Sequence, residues 1–572
     1  MKLKLRSWTA RTLVAVSTLV AASTAPTVYA QAPAAADAGV LTEDMVVRVL
    51  GMEKGALTAK PEDTDEKKGN ILKVRTAFTN AIAAFQQGKL ADAEKELKGA
   101  RDLDKGLAPA DVYLARLCFA VNNEQFVRTG RQFLDRAVAN NPDAPEAYAM
   151  LGNLALLEGR LADAHLLFAN AAILTTPYEE GKTWSPEQLL TFKKNCFAGK
   201  VSVYEQRADW KNALSEVKAW LALDPSDAVA TFRKGRIEFM SKLGAATDAA
   251  AITAALPGAI AAARPDFESA YKLAGDAVAA DKKDKELLPV PPAELALLEL
   301  LTQSNNVKEA RAEIPNIVAK ISEYSKNPKE GSRVNSTLAQ WYLAQGEFDE
   351  AKNFVQAAMK QDEKSPALEQ LFALLKYYSG PIEDAKTAFT KLNQDNPEDA
   401  FAANYLALTL IESSDESDRN KAVRVAELAA KLNQKSAVAL STLGWVYFKM
   451  NRIQEAAQIF VALNQQQNLQ ISPDMAYYMA KVFGKIPQGG IEKGLELLGR
   501  VVTATGPFKH RQEAIDQFKN WGGTMPTVTP AAANTTIGST PVATPPATPK
   551  ASPTASATPP ATTTPPSDGG NN

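Results

Sequence analysis

The stretch "LGNLALLEGRLADAHLLFANAA" at residues 151–172 decides the fold class. Together with Tyr148 just before it, the first half places residues at the i, i+3, i+4 and i+7 spacing of one helix face. A turn at Glu158-Gly159 follows, and the second half places residues at i, i+4 and i+7. The residues on these faces are Tyr148, Leu151, Gly152 and Ala155 before the turn and Ala164, Phe168 and Ala171 after it. The stretch therefore predicts two short helices that pack against each other.

The same intervals recur along the chain, so this hairpin is one unit of a repeat. Gly346 and Gly380 occupy equivalent turns and lie 34 residues apart (380 − 346). Well-marked units begin near Asp111, Pro145, Ser332, Pro366, Ala400 and Ala437, and weaker ones near Val74, Lys194, Ala228, Pro291 and Pro473. The residues predicted to pack repeats together are Leu151, Gly152, Ala164, Phe168, Leu443, Gly444, Ala456 and Phe460.

This pattern resembles the tetratricopeptide repeat. It has a bulky residue, a Leu-Gly pair, a Tyr-like residue, an Ala with an aromatic residue four places later, and a closing Pro. The resemblance covers roughly residues 74–502. It implies an all-α fold, a right-handed α-solenoid of stacked helix-turn-helix repeats with a concave inner surface, because neighbouring hairpins bury one another's apolar faces.

Composition divides the chain into five parts. We predict a signal peptide at 1–30, a flexible segment at 31–70, one repeat array at 71–283, a second at 284–522 with a capping helix, and a disordered Pro/Thr-rich tail at 523–572. The first array contains an Ala-rich insertion at 244–263. This insertion either packs along the solenoid as a helix or forms a binding loop.

The first thirty residues predict export. Lys and Arg residues precede an apolar run at 13–22, and Val28-Tyr29-Ala30 is a small-residue cleavage pattern before Gln31. The run is shorter than the roughly 20 residues that a bilayer-spanning helix needs. We therefore expect a cleaved leader, no membrane-spanning segment afterwards, and a periplasmic, extracellular or cell-surface location.

Charge and composition argue against several classes of function. Lys and Arg number 64 against 65 Asp and Glu, so the basic excess typical of nucleic-acid binding is missing from the sequence. The two His residues, His165 and His510, cannot form a multi-His metal cluster, and we expect no metal and no cofactor. Cys118 and Cys196 fall in helical patterns, which favours core positions over a single disulfide bridge.

The repeat resemblance implies that the first helix of each unit lines the groove. Residues just beyond the Leu-Gly pair then face inward, and many of them are aromatic. The candidate partner-binding residues are Gln340, Tyr377, Tyr378, Phe401, Asn404, Trp445, Phe448, Tyr477 and Lys481. Aromatic side chains exposed in a groove would suit a peptide ligand, but the same side chains could instead pack against adjacent units or the terminal helices.

These observations favour a binding protein over an enzyme. Once the repeats and tails are assigned, no stretch remains for a catalytic domain. We expect an exported scaffold or adaptor that binds a protein or peptide through its groove. The alternative is a structural subunit of an envelope or polysaccharide-export complex.

Overall fold

The computed structural model describes residues 49–525 apart from 53–56, 62, 122–123, 181–183, 245, 247, 281–286, 434–435, 467–468, 470, 488 and 505. The predicted signal peptide and almost all of the predicted C-terminal tail lie outside the described residues. Within them, every regular element is a helix, and consecutive helices pair as hairpins. The fold is an all-α solenoid of stacked helix-turn-helix repeats.

The chain divides into two compact units. Unit 1 runs to Glu363 and includes Val502–Phe508, whereas unit 2 comprises Lys364–Val501 and Lys509–Gly523. The sequence suggested a boundary at 283/284, and its domain ranges stay predictions.

The helices of unit 1 are α1 Asp65–Gln86, α2 Leu90–Leu103, α3 Ala110–Ala120, α4 Glu124–Asn140, α5 Pro145–Leu157, α6 Leu161–Ile173, α7 Thr176–Glu180, α8 Pro186–Gln206, α9 Trp210–Leu223, α10 Ala228–Gly244, α11 Ala249–Ala280, α12 Ala293–Gln303, α13 Val307–Tyr324, α14 Pro328–Gln345 and α15 Phe348–Gln361. Those of unit 2 are α16 Pro366–Ser379, α17 Ile382–Asp395, α18 Ala400–Leu410, α19 Glu416–Leu432, α20 Ala437–Lys449, α21 Ile453–Asn464, α22 Pro473–Phe483, α23 Gly490–Val501 and α24 Arg511–Asn520.

Stacking depends on one aromatic ring held between small residues. Phe168 on α6 is 1% exposed. A Cβ on Gly152 of α5 would lie 3.0 Å from its ring, and a Cβ on Gly199 of α8 would lie 2.5 Å away. The ring therefore fills the space between the first helix of its own hairpin and that of the next, and burying it contributes about 2–3 kcal/mol. Phe460 and Gly444 repeat the arrangement in unit 2, where the corresponding distance is 2.7 Å.

Several hairpin turns share one backbone conformation, whereas Gly380, in an equivalent turn, is extended with a φ of −106°. Gly159 and Gly346 have φ values of 73° and 78°, in the left-handed region, and each lies two residues before the second helix of its hairpin. Ala208, Asn305 and Asn451 hold the equivalent place with φ values of 53°, 61° and 63°. The left-handed turn thus belongs to the repeat, even where the residue is not the glycine that adopts it at least cost.

The Ala-rich insertion is part of a helix. Residues 249–263 are continuous with the stretch that follows, and together they form the long helix α11. Leu256, Ala259 and Ala263 are buried in the same cluster as Phe267. The packing alternative is therefore observed, and the insertion lengthens the second helix of its hairpin.

Both cysteines lie in the core as predicted. Cys118 is 0% and Cys196 is 1% exposed, and neither forms a disulfide bond. Among the described residues, none of the helices is long and apolar enough to cross a membrane.

Candidate peptide-binding face of unit 2

Two groups of aromatic side chains line the first helices of unit 2. The tyrosine patch consists of Tyr377 and Tyr378 on α16, Phe389 on α17, and Phe401 and Tyr405 on α18. The Tyr405 ring stacks on Phe389 at 5.2 Å and meets the Tyr377 ring edge-on at 5.3 Å. The patch is thus continuous across two neighbouring repeats.

The tryptophan patch lies on the last repeats of the unit. It consists of Trp445 and Phe448 on α20 and Tyr477 and Tyr478 on α22. The Trp445 ring stacks on Phe448 at 5.4 Å and on Tyr478 at 4.5 Å. One indole therefore joins the aromatic residues of two first helices.

A segment from the C-terminal end of unit 2, Lys509–Gly523, covers both patches. The Lys509 ammonium lies 4.3 Å from the centre of the Tyr377 ring and donates a 3.0 Å hydrogen bond to the Tyr377 carbonyl oxygen. The His510 ring stacks on Tyr477 at 5.0 Å and lies 5.6 Å from Trp445. Two consecutive residues thus contact α16, α20 and α22, so the polypeptide crosses the inner face of the unit.

Polar contacts continue along the segment. Tyr477 donates a 2.7 Å hydrogen bond to Glu513, and Lys481 donates a 3.2 Å hydrogen bond to Gln517. His510 contacts the same Glu513 carboxylate at 3.3 Å. The candidate residues Tyr477 and Lys481 therefore bind a polypeptide here, and that polypeptide belongs to the same chain.

The expectation of an open aromatic groove is wrong for the central residues. Tyr377 and Trp445 are each 3% exposed, Tyr477 is 0% exposed, and Asn404 is also buried. Tyr378, Phe401, Phe448 and Lys481 are half-buried. The alternative left open by the sequence, packing against adjacent units or the terminal helices, describes Trp445, which stacks on Tyr478 of the next hairpin, and Tyr377 and Tyr477, which contact the two residues just before the terminal helix. Their role in binding a partner stays a prediction.

Acidic groups beside the patches are enclosed and incompletely paired. Glu412 accepts a 3.0 Å hydrogen bond from Lys449 through Oε2. Its Oε1 and the Oδ1 of Asp474 are buried without a hydrogen-bond partner among the described residues. Burial raises the pKa of Asp474 to about 7, although Arg511 and Lys509 oppose this. Burial also lowers the pKa of Lys509, against the attraction of Glu412 and Asp474. This part of the inner face therefore contains two carboxylate oxygens that accept no hydrogen bond from the described residues.

Two first helices of unit 1, α8 and α10, are joined by charged side chains instead. Arg233 on α10 binds Glu205 on α8 at 2.5 Å, and the two side chains are 5% and 4% exposed. Arg233 also donates to the Ala198 carbonyl and to the Ser202 hydroxyl. Gln340, the remaining candidate residue, belongs to this unit and is half-buried.

Both histidines contact side chains of neighbouring residues in the fold. His165 contacts the Tyr204 hydroxyl at 3.0 Å between α6 and α8. His510 directly precedes α24, and burial lowers its pKa while Glu513 opposes the shift. In the part of the chain that the structure describes, no group of His, Cys, Asp and Glu residues is arranged to hold a metal.

Sequence reasoning missed the residues that complete this site. Lys509, Glu412 and Asp474 carry no repeat signature, and Lys509 lies 132 residues from Tyr377 along the chain. The only local signal was the position of His510, beyond the last repeat and at the start of a predicted capping helix.

Comparison with known proteins adds similarity of fold only. No family model matches the chain, and no curated protein matches it. Yeast Tom70 is 14% identical, with a TM-score of 0.33 and coverage of 80% of this chain and 96% of Tom70. The tetratricopeptide protein TTC0263 of Thermus thermophilus is 16% identical, with a TM-score of 0.28 and coverage of 33% of this chain and 97% of that protein.

A third similar structure is IFIT1, solved with Gppp-AAAA. It is 13% identical, with a TM-score of 0.31 and coverage of 82% of this chain and 88% of IFIT1. TM-scores this low carry no argument about function. The fold assignment rests on the helix pairing of this chain itself, and the expectation that nucleic acid is not a partner stays a prediction.

Proposed function

We propose that this protein is an exported scaffold that binds an extended segment of a partner protein on the inner face of unit 2. The observation that carries the proposal is the segment Lys509–Gly523, which already lies on that face. It forms a cation–aromatic contact at Tyr377, a ring stack at Tyr477 and side-chain hydrogen bonds. A surface that holds a polypeptide of its own chain in this way has the chemistry to hold one from a partner.

Three features support a binding role over a catalytic one. The nucleophile, base and orienting group of a catalytic site are not found together on this face among the described residues. His510 is stacked between aromatic rings. The nearby carboxylates of Glu412 and Asp474 both attract the Lys509 ammonium electrostatically. Export is proposed from the predicted leader, whose removal would make Gln31 the first residue of the mature protein.

Site-specific photo-crosslinking in the producing cells tests this function. A photoreactive phenylalanine analogue at Phe448, half-buried on the inner side of α20, should crosslink to one discrete partner protein. The same analogue at Val461, which is 43% exposed on α21, is the matched control and should give no discrete product. Equal crosslinking from both positions, or none from Phe448, would contradict a partner on the inner face. Mass spectrometry of the mature N-terminus tests export in the same cells.

A further inference from the structure

The surroundings of Lys509 have the composition of a subsite for a basic side chain. Its ammonium lies over the Tyr377 ring and donates to the Tyr377 carbonyl oxygen. Glu412 and Asp474 both attract it electrostatically. An aromatic face and a carbonyl oxygen therefore contact this cation directly, and two carboxylates attract it electrostatically. This combination favours Lys or Arg over a neutral side chain.

Lys509 does not use all of this capacity. Glu412 Oε1 and Asp474 Oδ1 remain without a hydrogen-bond donor among the described residues. A buried acceptor without a donor is unfavourable, because it has lost its hydrogen bonds to water without replacing them. A ligand that brings additional N–H groups to these oxygens would therefore gain binding free energy that Lys509 leaves unrealised.

The docking of α24 has its own anchors, away from this subsite. Ala514 and Phe518 are buried on α24. The Trp521 ring fills the space where a Cβ on Gly484 or Gly494 would lie, at 2.4 and 2.5 Å. Lys509 contributes a charge whose burial is unfavourable, since its pKa is lowered. Because these anchors do not include Lys509 or His510, partner binding at the subsite requires only residues 509–510 to leave the face while α24 stays in place.

We propose that Tyr377, Glu412 and Asp474 form a recognition subsite for a basic side chain of a partner segment, and that Lys509 occupies this subsite in cis when no partner is bound. This inference rests on the proposed function and specifies the chemistry of the segment that binds. A partner must then compete with Lys509. Tethering gives the in-cis occupant an effective concentration in the millimolar range, so only segments with a well-placed basic residue displace it.

The test uses the full chain and a fluorescent peptide with the chain's own sequence at residues 506–512, "GPFKHRQ", titrated by fluorescence anisotropy. The double variant Lys509→Ala/His510→Ala should bind this peptide roughly tenfold more tightly than the wild type, because the in-cis competitor is gone. A matched peptide with alanine in place of its lysine should bind the double variant roughly tenfold more weakly, since it lacks the cation–aromatic contact and the hydrogen bond.

A second substitution checks the acidic side of the subsite without changing side-chain volume. Glu412→Gln, added to the double variant, should weaken binding of the lysine peptide and leave binding of the alanine peptide unchanged. Lys519→Ala, on the exposed side of α24, is the control and should bind like the wild type.

Equal binding of the lysine and alanine peptides, or no gain on removing Lys509 and His510, would overturn the subsite. If the crosslink from Phe448 is nevertheless found, the scaffold function stands and only the basic-side-chain assignment is wrong. If the crosslink is absent while lysine-dependent peptide binding is present, the subsite stands and the proposed partner-binding function is wrong.

Discussion

The inner faces of unit 1 and unit 2 are built on the same repeat but differ in chemistry. In unit 1, Arg233 and Glu205 form a buried ion pair whose hydrogen bonds stay among neighbouring first helices. In unit 2, the equivalent surface is aromatic, and the unit's own segment at Lys509 and His510 covers it. The charged side chains of unit 1 thus find their partners within the repeats, whereas aromatic side chains of unit 2 are covered by a polypeptide segment that follows the repeats.

The difference shows which repeat positions are free to change. Gly152 with Phe168, and Gly444 with Phe460, hold the hairpins together in both units. The inner positions of the first helices differ between the units, with Arg233 and Glu205 in one and aromatic rings in the other, while the same glycine–phenylalanine contact is kept.

The largest effect is expected from breaking the charged face of unit 1. Glu205→Ala leaves Arg233 buried without its ion-pair partner and removes a carboxylate that lies 3.9 Å from the buried Arg236. Removing one partner of a buried pair costs about 3–5 kcal/mol. The urea midpoint of unfolding, followed by circular dichroism, should fall accordingly.

The control for this variant is Glu158→Ala. Glu158 is 38% exposed and pairs with Arg131 and Arg160. Its loss should cost about 0–1 kcal/mol. If both variants shift the midpoint equally, Glu205 does not hold a buried charge pair.

A smaller effect is expected from the shared packing position in unit 2. Gly444→Ala would place a methyl group 2.7 Å from the Phe460 ring, and overpacking of this kind costs about 1–3 kcal/mol. Gly99→Ala is the matched control because Gly99 lies within α2 with no atom within 4 Å of its added Cβ. That substitution should stabilise by about 0.5–1 kcal/mol through helix propensity. Thermal unfolding measures both, and a stabilising Gly444→Ala would contradict the packing assigned to Phe460.

The smallest effect concerns the pH dependence of the aromatic face of unit 2. The pKa of Asp474 is raised to about 7 in the folded protein, so the folded state binds more protons than the unfolded state from about pH 4 to about pH 7. Stability contributed by this group therefore falls as the pH rises through that window and levels off above it.

Asp474→Asn should remove this dependence. The free energy of unfolding of the variant should increasingly exceed that of the wild type between pH 4 and pH 7. We expect a difference on the order of 1 kcal/mol, because the Asp474 side chain as a whole is only half-buried even though its Oδ1 is enclosed. Urea midpoints across this pH range measure the gain. Asp516→Asn, at an exposed position of α24, is the control and should follow the wild-type profile. If the stability difference between the variant and the wild type does not change with pH, the charge of Asp474 is not its cause.

Much of the fold follows from the local sequence pattern. Predicted unit starts at Pro145, Pro366, Ala400, Ala437 and Pro473 coincide with the first residues of helices. This succeeds because helix faces, turns and the small residues at packing positions recur at short, fixed intervals. The local pattern left open whether the Ala-rich insertion packs as a helix or forms a loop, and in the structure this stretch continues a helix even across Pro257.

The candidate site was predictable in its aromatic residues but not in their environment. The sequence by itself determined the repeat, its period, and which first-helix positions stacking leaves free, since these depend on contacts between near neighbours. Only the tertiary structure decided that Lys509 and His510 return to Tyr377 and Tyr477, burying rings that the repeat pattern placed on an open face. The contact between Lys509 and Tyr377 joins residues 132 positions apart and depends on how the intervening repeats are stacked. The spacing of residues within one repeat therefore does not predict it.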